Sequence, residues 1–252
     1  MSTPEIQKPI SIHIPPDLQH LAVPLQQFLE KHPSYSCLAV GAFIFSISNV
    51  ASLSNPPRLL QVQRSASERA FPNLWEVPGG SSELTDPTIL HSVAREVFEE
   101  TGLHLTRFIR QIGSGSEFVT GPKSRPKRWL KLHFEIEVAE IGIALIQGLS
   151  SCNFGRDGQE SATEQQENPR NVFSSTSIEI CLDPMEHQDY RWVSEDDVEA
   201  ARYNEESHKL VSDDQKRVAL QAFRMHNQGL EQLRALDSFA GTSTASRSEP
   251  AQ

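Results

Sequence analysis

A chain of 252 residues allows one domain with extensions or two small ones, and a hydrophobic share of 37% is low for a chain that is compact throughout, so part of it lies outside a core. The net charge of −10 argues against general nucleic-acid binding, which needs a basic footprint, and suits a protein that recruits cations. Cys37, Cys152 and Cys181 fall in no metal or redox spacing and read as free thiols of a reducing compartment, with one disulfide left open.

No apolar run reaches membrane-spanning length, and the opening MSTPEIQKPISIHIPP lacks a basic region followed by an apolar core. The expectation is a cytoplasmic protein without a membrane partner. Ile10 to Ile14 alternates apolar and polar residues and predicts a short strand ended by Pro15-Pro16. Leu25 to Lys31 predicts a short helix with Leu25, Phe28 and Leu29 on one face. Ser36 to Ser48 is nearly continuous in apolar residues and predicts a buried central strand, with Gly41 where another backbone comes close. Leu59 to Arg64 is its expected hairpin partner across the Asn55-Pro56-Pro57 turn.

Next comes the stretch that carries chemistry. Leu74 to Pro78 is extended and ends in Gly79-Gly80. Asp86-Pro87 predicts a helix start, Asp as N-cap and Pro at the first helical position, and Gly102 stops the helix as an αL cap. Glu96, Glu99 and Glu100 are spaced i, i+3 and i+4, so they share one face near the helix C-terminus. Their repulsion costs roughly a few tenths of a kcal/mol per pair, and the helix dipole adds to it. A hard divalent cation would offset both, because Mg²⁺ and Mn²⁺ prefer carboxylate oxygen. The plain alternative is a solvated acidic face.

This stretch resembles the Nudix box, G-x5-E-x7-R-E-U-x-E-E-x-G-U with U aliphatic. Arg95 to Leu103, REVFEETGL, matches the second half at every specified position, and Gly80 opens the first. The resemblance implies that Glu96, Glu99 and Glu100 bind Mg²⁺ or Mn²⁺ with the Gly80 carbonyl, and that Arg95 braces the loop before the helix. The first half departs from the pattern. Counted back from Arg95, the first glutamate falls on Pro87; counted forward from Gly80, it falls on Asp86. The loop is one residue longer. Asp86 either keeps the acidic role or is only an N-cap, and Glu83 is a second candidate. Trp75 to Gly80 is similar to the family's Trp-x-x-Pro-Gly-Gly lead-in. Arg64, Arg69 and Trp75 are the candidate substrate contacts. The two arginines match phosphate geometry and equally could pair with surface acids. Arg64-Ser65-x-x-x-Arg69 is only faintly similar to a motif of the coenzyme A-cleaving branch.

Farther on, Arg107 to Ile112 and Trp129 to Val138 predict strands. The second has Leu130, Leu132, Phe134 and Ile136 on one face and Lys131, His133, Glu135 and Glu137 on the other. Between them lies a loop with four Lys/Arg residues, which either gathers a phosphorylated substrate or is simply solvated. Gly148 to Thr176 is polar and predicts a disordered insertion. Order resumes at Ser177 to Leu182. Tyr190 to Val193 predicts a strand, and Ser194 caps an acidic helix. Glu186, in the loop before that strand, is a candidate catalytic base by family resemblance; His187 reads as a structural or surface histidine. Asp213 to Asn227 predicts an amphipathic helix with Val218, Ala219, Ala222 and Phe223 inward.

The resemblance covers about Ser36 to Asn227 and implies an α/β protein, a Nudix-type α/β/α sandwich with a mixed β-sheet. The expected organisation is an N-terminal extension at 1–35 with a short strand and helix, a Nudix domain at 36–236 with an insertion at about 148–176, and a disordered tail at 237–252. The implied activity is metal-dependent hydrolysis of a pyrophosphate bond in a nucleoside diphosphate linked to another moiety, or a similar diphosphate. The cation neutralises phosphate charge and acidifies a water, and Glu99 or Glu186 takes the proton. The expected partner is a small phosphorylated substrate. Dimer contacts help set specificity in this fold, so a homodimer is one expected assembly. The rival reading is a catalytically inactive nucleotide-binding or sensing protein, motivated by the altered first half of the box. Messenger-RNA decapping is disfavoured by the charge, and an isoprenoid isomerase by the placing of Cys37 in the apolar strand.

Overall fold

The computed structural model describes residues 11–46, 56–141, 178–201 and 209–242. Its centre is strand β1, Cys37–Ile44, buried from Leu38 onward. The unbroken apolar run has a simple cause. Leu38, Val40, Ala42 and Ile44 pack into one apolar cluster, whereas Phe43 and the following Phe45 pack into another. A strand with a core on both faces has no polar side to show.

Helices cover both faces. On the first lie α1 (Leu25–Lys31, as the sequence predicts) and α2 (Ile89–Thr101), which buries Ile89, Leu90, Val93 and Val97. On the second lie α3 (Glu195–Ala200) and α4 (Asp213–Thr242). Val198 of α3 and Val218, Ala219, Ala222 and Phe223 of α4 join the second cluster. The architecture is the expected α/β/α sandwich.

The strands form two sheets. In the first, β1 pairs in parallel with β6 (Lys127–Val138), whose other edge carries β4 (Leu105–Gln111) and β5 (Ser116–Thr120), both antiparallel. In the second, β2 (Leu59–Arg64) lies between β3 (Trp75–Glu76) and β7 (His187–Val193), both antiparallel. The hairpin expected between β1 and β2 is reduced to one bridge, Phe45 to Leu59. The free edge of β1 is taken instead by the lead-in to α2. The Ala42 N–H donates to Pro78 O and the Val40 N–H to Gly80 O, both at 2.8 Å, and the Ser82 N–H donates to Leu38 O at 3.0 Å. This inserted loop separates the sheets and fixes the start of the site against the central strand. It is also the close approach expected at Gly41: a Cβ on Gly79, whose φ is +146°, would sit 2.8 Å from Gly41 Cα and collide with the Val40 carbonyl.

Other boundaries differ from expectation. The N-cap of α2 is Thr88, not Asp86, and its side chain accepts from the His91 N–H. Part of the basic loop is β5, paired along its whole length with β6. Helix α4 runs to Thr242, so residues 237–242 are helical where a disordered tail was expected. Of the first predicted strand, the described part makes a single parallel bridge, His13 to Arg107. Ile178 to Leu182 forms no strand, though the Cys181 N–H donates to Thr101 O at 2.9 Å. The insertion expected at about 148–176 lies outside the described residues. Among the described residues, no helix is long and apolar enough to cross a membrane.

Candidate active site

Arg95 organises the box. Its Nε donates to Asp86 Oδ1 at 2.9 Å and its Nη2 to Asp86 Oδ2 at 3.1 Å and Ser81 O at 2.9 Å. Its Nη1 lies 2.9 Å from Glu99 Oε2 and 3.0 Å from Glu96 Oε1. The guanidinium fork thus ties the loop to the helix. Asp86 is the acid that braces it. Burial would raise the Asp86 carboxyl, but Arg95, the Glu83 N–H and Ser92 hold it below the ordinary range. The Glu83 side chain is exposed and accepts from Thr85 Oγ1 at 3.1 Å.

The three box glutamates sit in different surroundings. Glu99 is half exposed, with its side chain at 54%. Glu96 is buried beneath Gly80, where an added Cβ would meet its Oε2 at 2.5 Å. Burial pushes Glu96 up to about 7; Arg95 opposes this, while Glu99 and Glu186 add to it. Glu100 is 3% exposed, and its Oε2 accepts the Gly79 N–H at 2.7 Å. Burial, followed by the charge of Glu76, drives it well above the usual carboxylate range. Both groups resist ionising because burial strips their charged forms of water, and at Glu96 the charge of Arg95 does not offset it. The Gly80 carbonyl, expected to join them, accepts the Val40 N–H and so faces β1 with one lone pair.

Three residues outside the box complete the cluster. Glu76 is buried, with Arg64 Nη1 at 2.6 Å, Lys131 Nζ at 3.9 Å and His187 Nε2 at 3.8 Å. Burial would raise it, but His187, Lys131 and Arg64 bring it down to about 2. His187 is 1% exposed rather than a surface residue, and its Nδ1 lies 3.9 Å from Glu100 Oε1. Neither ring nitrogen has a hydrogen-bond partner among the described residues. Glu186 is exposed and reaches the same place. One ligand atom each from Glu100, Glu186 and His187 all lie within 4.8 Å of one another. The Glu186 carbonyl accepts the Ser65 N–H at 2.7 Å, which pins this loop to the end of β2.

The expected substrate contacts fare differently. Arg64 is fully engaged, by Glu76, by Glu68 at 2.9 Å and by the Ala70 carbonyl at 2.8 Å. Arg69 is exposed. Trp75 is corrected: it is 1% exposed, packed with Ala201 and Leu210 under the Arg191 guanidinium at 3.8 Å, and offers no face to a ligand. Sequence reasoning missed Glu76 and His187 as site residues. The one available signal was an acid in the otherwise apolar Leu74 to Val77 lead-in.

These residues fit a divalent cation. Two buried carboxyls held above their ordinary range, two exposed carboxylates and an imidazole without a hydrogen-bond partner among the described residues make an oxygen-rich donor set.

An m7GpppN-mRNA hydrolase, NUDT17 of Danio rerio, is 49% identical over 49 residues, 19% of this chain and 16% of that relative's length. Among solved structures, a MutT protein of Methanosarcina mazei Go1 is 19% identical, covers 76% of this chain and 94% of its own, and has a TM-score of 0.42. The NUDIX domain of Shewanella oneidensis NrtR, solved with ADP ribose, is 14% identical over 80% of this chain and 97% of its own, with a TM-score of 0.46. Residues 47–148 match the family model of the NUDIX domain, and this part of the chain is a NUDIX domain.

Proposed function

We propose that the chain is a divalent-cation-dependent pyrophosphohydrolase acting on a nucleoside diphosphate linked to another moiety, or on a similar diphosphate. The observation that carries this reading is the pairing of Glu96 and Glu100. Both are buried, both have raised carboxyls, and they lie on the helix that Asp86 and Arg95 lock to its loop.

Glu96, Glu99, Glu100 and Glu186 would hold Mg²⁺ or Mn²⁺, with the free lone pair of the Gly80 carbonyl. When bound, the cation supplies neutralising charge at phosphate oxygens and lowers the pKa of water. Arg95 sets the rotamer of Glu99 and the path of the loop. Glu99 and Glu186 are the exposed carboxylates of the group and can accept a proton from the attacking water. Arg69 is free to meet a phosphate from solvent. The altered first half of the box does not dismantle the site in this reading, because Asp86 takes up the brace on the other side of the longer loop.

The test is thermal unfolding with and without millimolar Mg²⁺ or Mn²⁺, with product masses read from dinucleotide, nucleotide-sugar, coenzyme A and inositol pyrophosphate substrates. The expected result is a rise in Tm set by mass action on the folded state, largely lost in Glu99→Gln, and cleavage at a pyrophosphate bond. No metal-dependent stabilisation would sink the reading and favour the inactive binding protein.

A second reading is favoured by the NUDT17 likeness: the linked moiety is an RNA cap. Lys123, Arg125, Lys127 and Arg128 on the β5–β6 hairpin suit an RNA path, against the overall charge of −10. Adding capped RNA to the same screen separates the two.

A further inference from the structure

We propose that His187 is a nitrogen donor of the cation site, oriented by Glu76, and that it shifts the site's preference from Mg²⁺ toward Mn²⁺ and Co²⁺. The proposal rests on the reading that the carboxylate cluster binds a cation.

The first observation is the imidazole itself. His187 is 1% exposed, and both its nitrogens are buried without a hydrogen-bond partner among the described residues. Leaving a buried donor or acceptor unsatisfied forfeits its hydration with no return. The flanking carboxylate oxygens, at 3.8 Å and 3.9 Å, are too far for a hydrogen bond and too near to be incidental. A histidine that served only as packing would be set among apolar atoms. One that served only to hydrogen-bond its neighbours would touch them.

The two sides of the ring differ. On the Nε2 side, Glu76 is already committed to Arg64 and lies 3.9 Å from Lys131. It is fixed, ionised and suited to accept an N–H. On the Nδ1 side, Glu100 and Glu186 form no ion pair with Lys or Arg among the described residues, and the three ligand atoms lie within 4.8 Å of one another. Two donors on opposite sides of one ion are separated by roughly twice a bond length, about 4.2 Å. The three atoms therefore lie at the scale that one ion spans, with His187 Nδ1 and Glu100 Oε1 at 3.9 Å. A carboxylate on one ring nitrogen and a metal on the other is the usual arrangement of a ligating histidine, because the carboxylate fixes the tautomer and points the lone pair. Mg²⁺ is a poor partner for nitrogen, whereas Mn²⁺ and, more strongly, Co²⁺ accept imidazole. The backbone keeps the ring in place: the His187 N–H donates to Asp183 O at 2.8 Å, and the residue opens β7 opposite Arg64.

The test is pulsed electron paramagnetic resonance on the full chain with one equivalent of Mn²⁺. A ¹⁴N coupling is expected, replaced by a ¹⁵N coupling when the protein carries ¹⁵N-histidine. His187→Asn should abolish it while Mn²⁺ still binds. The Mn²⁺-over-Mg²⁺ affinity ratio, measured by calorimetry, should then fall roughly tenfold. If that variant does not fold, the unmutated protein with one equivalent of Co²⁺ should show a hyperfine-shifted, exchangeable imidazole N–H proton. Mn²⁺ bound without nitrogen coupling, an unchanged affinity ratio or no shifted N–H overturns the role of His187 and leaves the carboxylate site standing. No Mn²⁺ binding at all overturns both.

Discussion

Glu100 and Glu135 are buried to nearly the same degree, 3% and 4% exposed, and are treated in opposite ways. Glu135, on β6, is met by a nitrogen group on each side. His226 Nδ1 lies 2.7 Å from its Oε1, and Arg110 Nε lies 2.9 Å from its Oε2 in an ion contact that is not an aligned hydrogen bond. Arg110 also donates to Met225 O at 3.1 Å, and His226 stacks on Phe45 at 4.2 Å between ring centres. This group joins α4 to the sheet. Glu100 has one backbone N–H, two acidic neighbours, and a histidine that stands off at 3.9 Å. A charge that the fold pairs internally holds elements together. A buried carboxyl left short of a partner, beside the exposed Glu186, is where a ligand is expected.

The largest effect that could break this contrast is on activity. Glu100→Gln should lower pyrophosphate hydrolysis roughly 10²-fold or more, as removal of one transition-state contact does. The metal-free protein should melt at the same temperature or higher, because a buried acid without countercharge is gone. Glu135→Ala should do the reverse. It strands Arg110 and His226 and should cost about 3 kcal/mol, while turnover per folded molecule stays unchanged. Denaturant titration and initial rates on both variants decide it. Two variants that lose stability alike would mean that the clusters are the same kind of feature.

The next effect is on pH dependence. Glu96 is raised from 4.5 to about 7 in the folded state, so the fold holds that proton more tightly than the open chain does. Its contribution to stability is fully present below 4.5 and is lost as pH rises through 7, a change on the order of 3 kcal/mol. Glu76 runs the other way: held at about 2, it stabilises above 4.5, and that share is lost as pH falls toward 2. Metal-free wild type should therefore weaken between pH 5 and pH 8, and Glu96→Gln should flatten that slope. A flat wild-type profile would show that burial does not hold the Glu96 proton. A saturating cation should also flatten it, by favouring the ionised form.

Much of this was legible in the chain, and the failures have physical causes. Leu25–Lys31 follows from periodicity because it has one partner surface, and Leu59–Arg64 from its short apolar run beyond the Asn55-Pro56-Pro57 turn. The β1–β2 hairpin failed because sequence neighbours compete for an edge, and the glycine-rich loop won the edge of β1. β5 was missed because its side chains are largely exposed and its pairing to β6 leaves no apolar pattern. The box gave three carboxylates and the arginine. It could not give Glu76 and His187, which reach Glu100 only through the meeting of β2, β3 and β7. His187 read as a structural or surface histidine because burial by distant strands leaves no local mark.

The smallest effects separate the two parts that Asp86 could play. The sequence allowed it to be the N-cap of α2 or the brace of Arg95. Thr88 holds the cap, and Asp86 holds Arg95 with both oxygens. Asp86→Asn keeps one acceptor but removes the charge and one arm of the fork. It should cost about 2 kcal/mol, the worth of a charge-assisted hydrogen bond, and slow hydrolysis several-fold by loosening Glu99. Because Arg95 holds the Asp86 carboxyl below its ordinary 3.8, wild type gains this stability above that pH and loses it as acid approaches. The variant should lack that part of the acid transition. Thr88→Ala should cost about 1 kcal/mol at any pH, as loss of a cap does, and leave the rate alone. If Asp86→Asn were harmless and Thr88→Ala slowed turnover, the longer loop would not transmit the arginine to the site. The carboxylates would then have to be ordered from the His187 side alone.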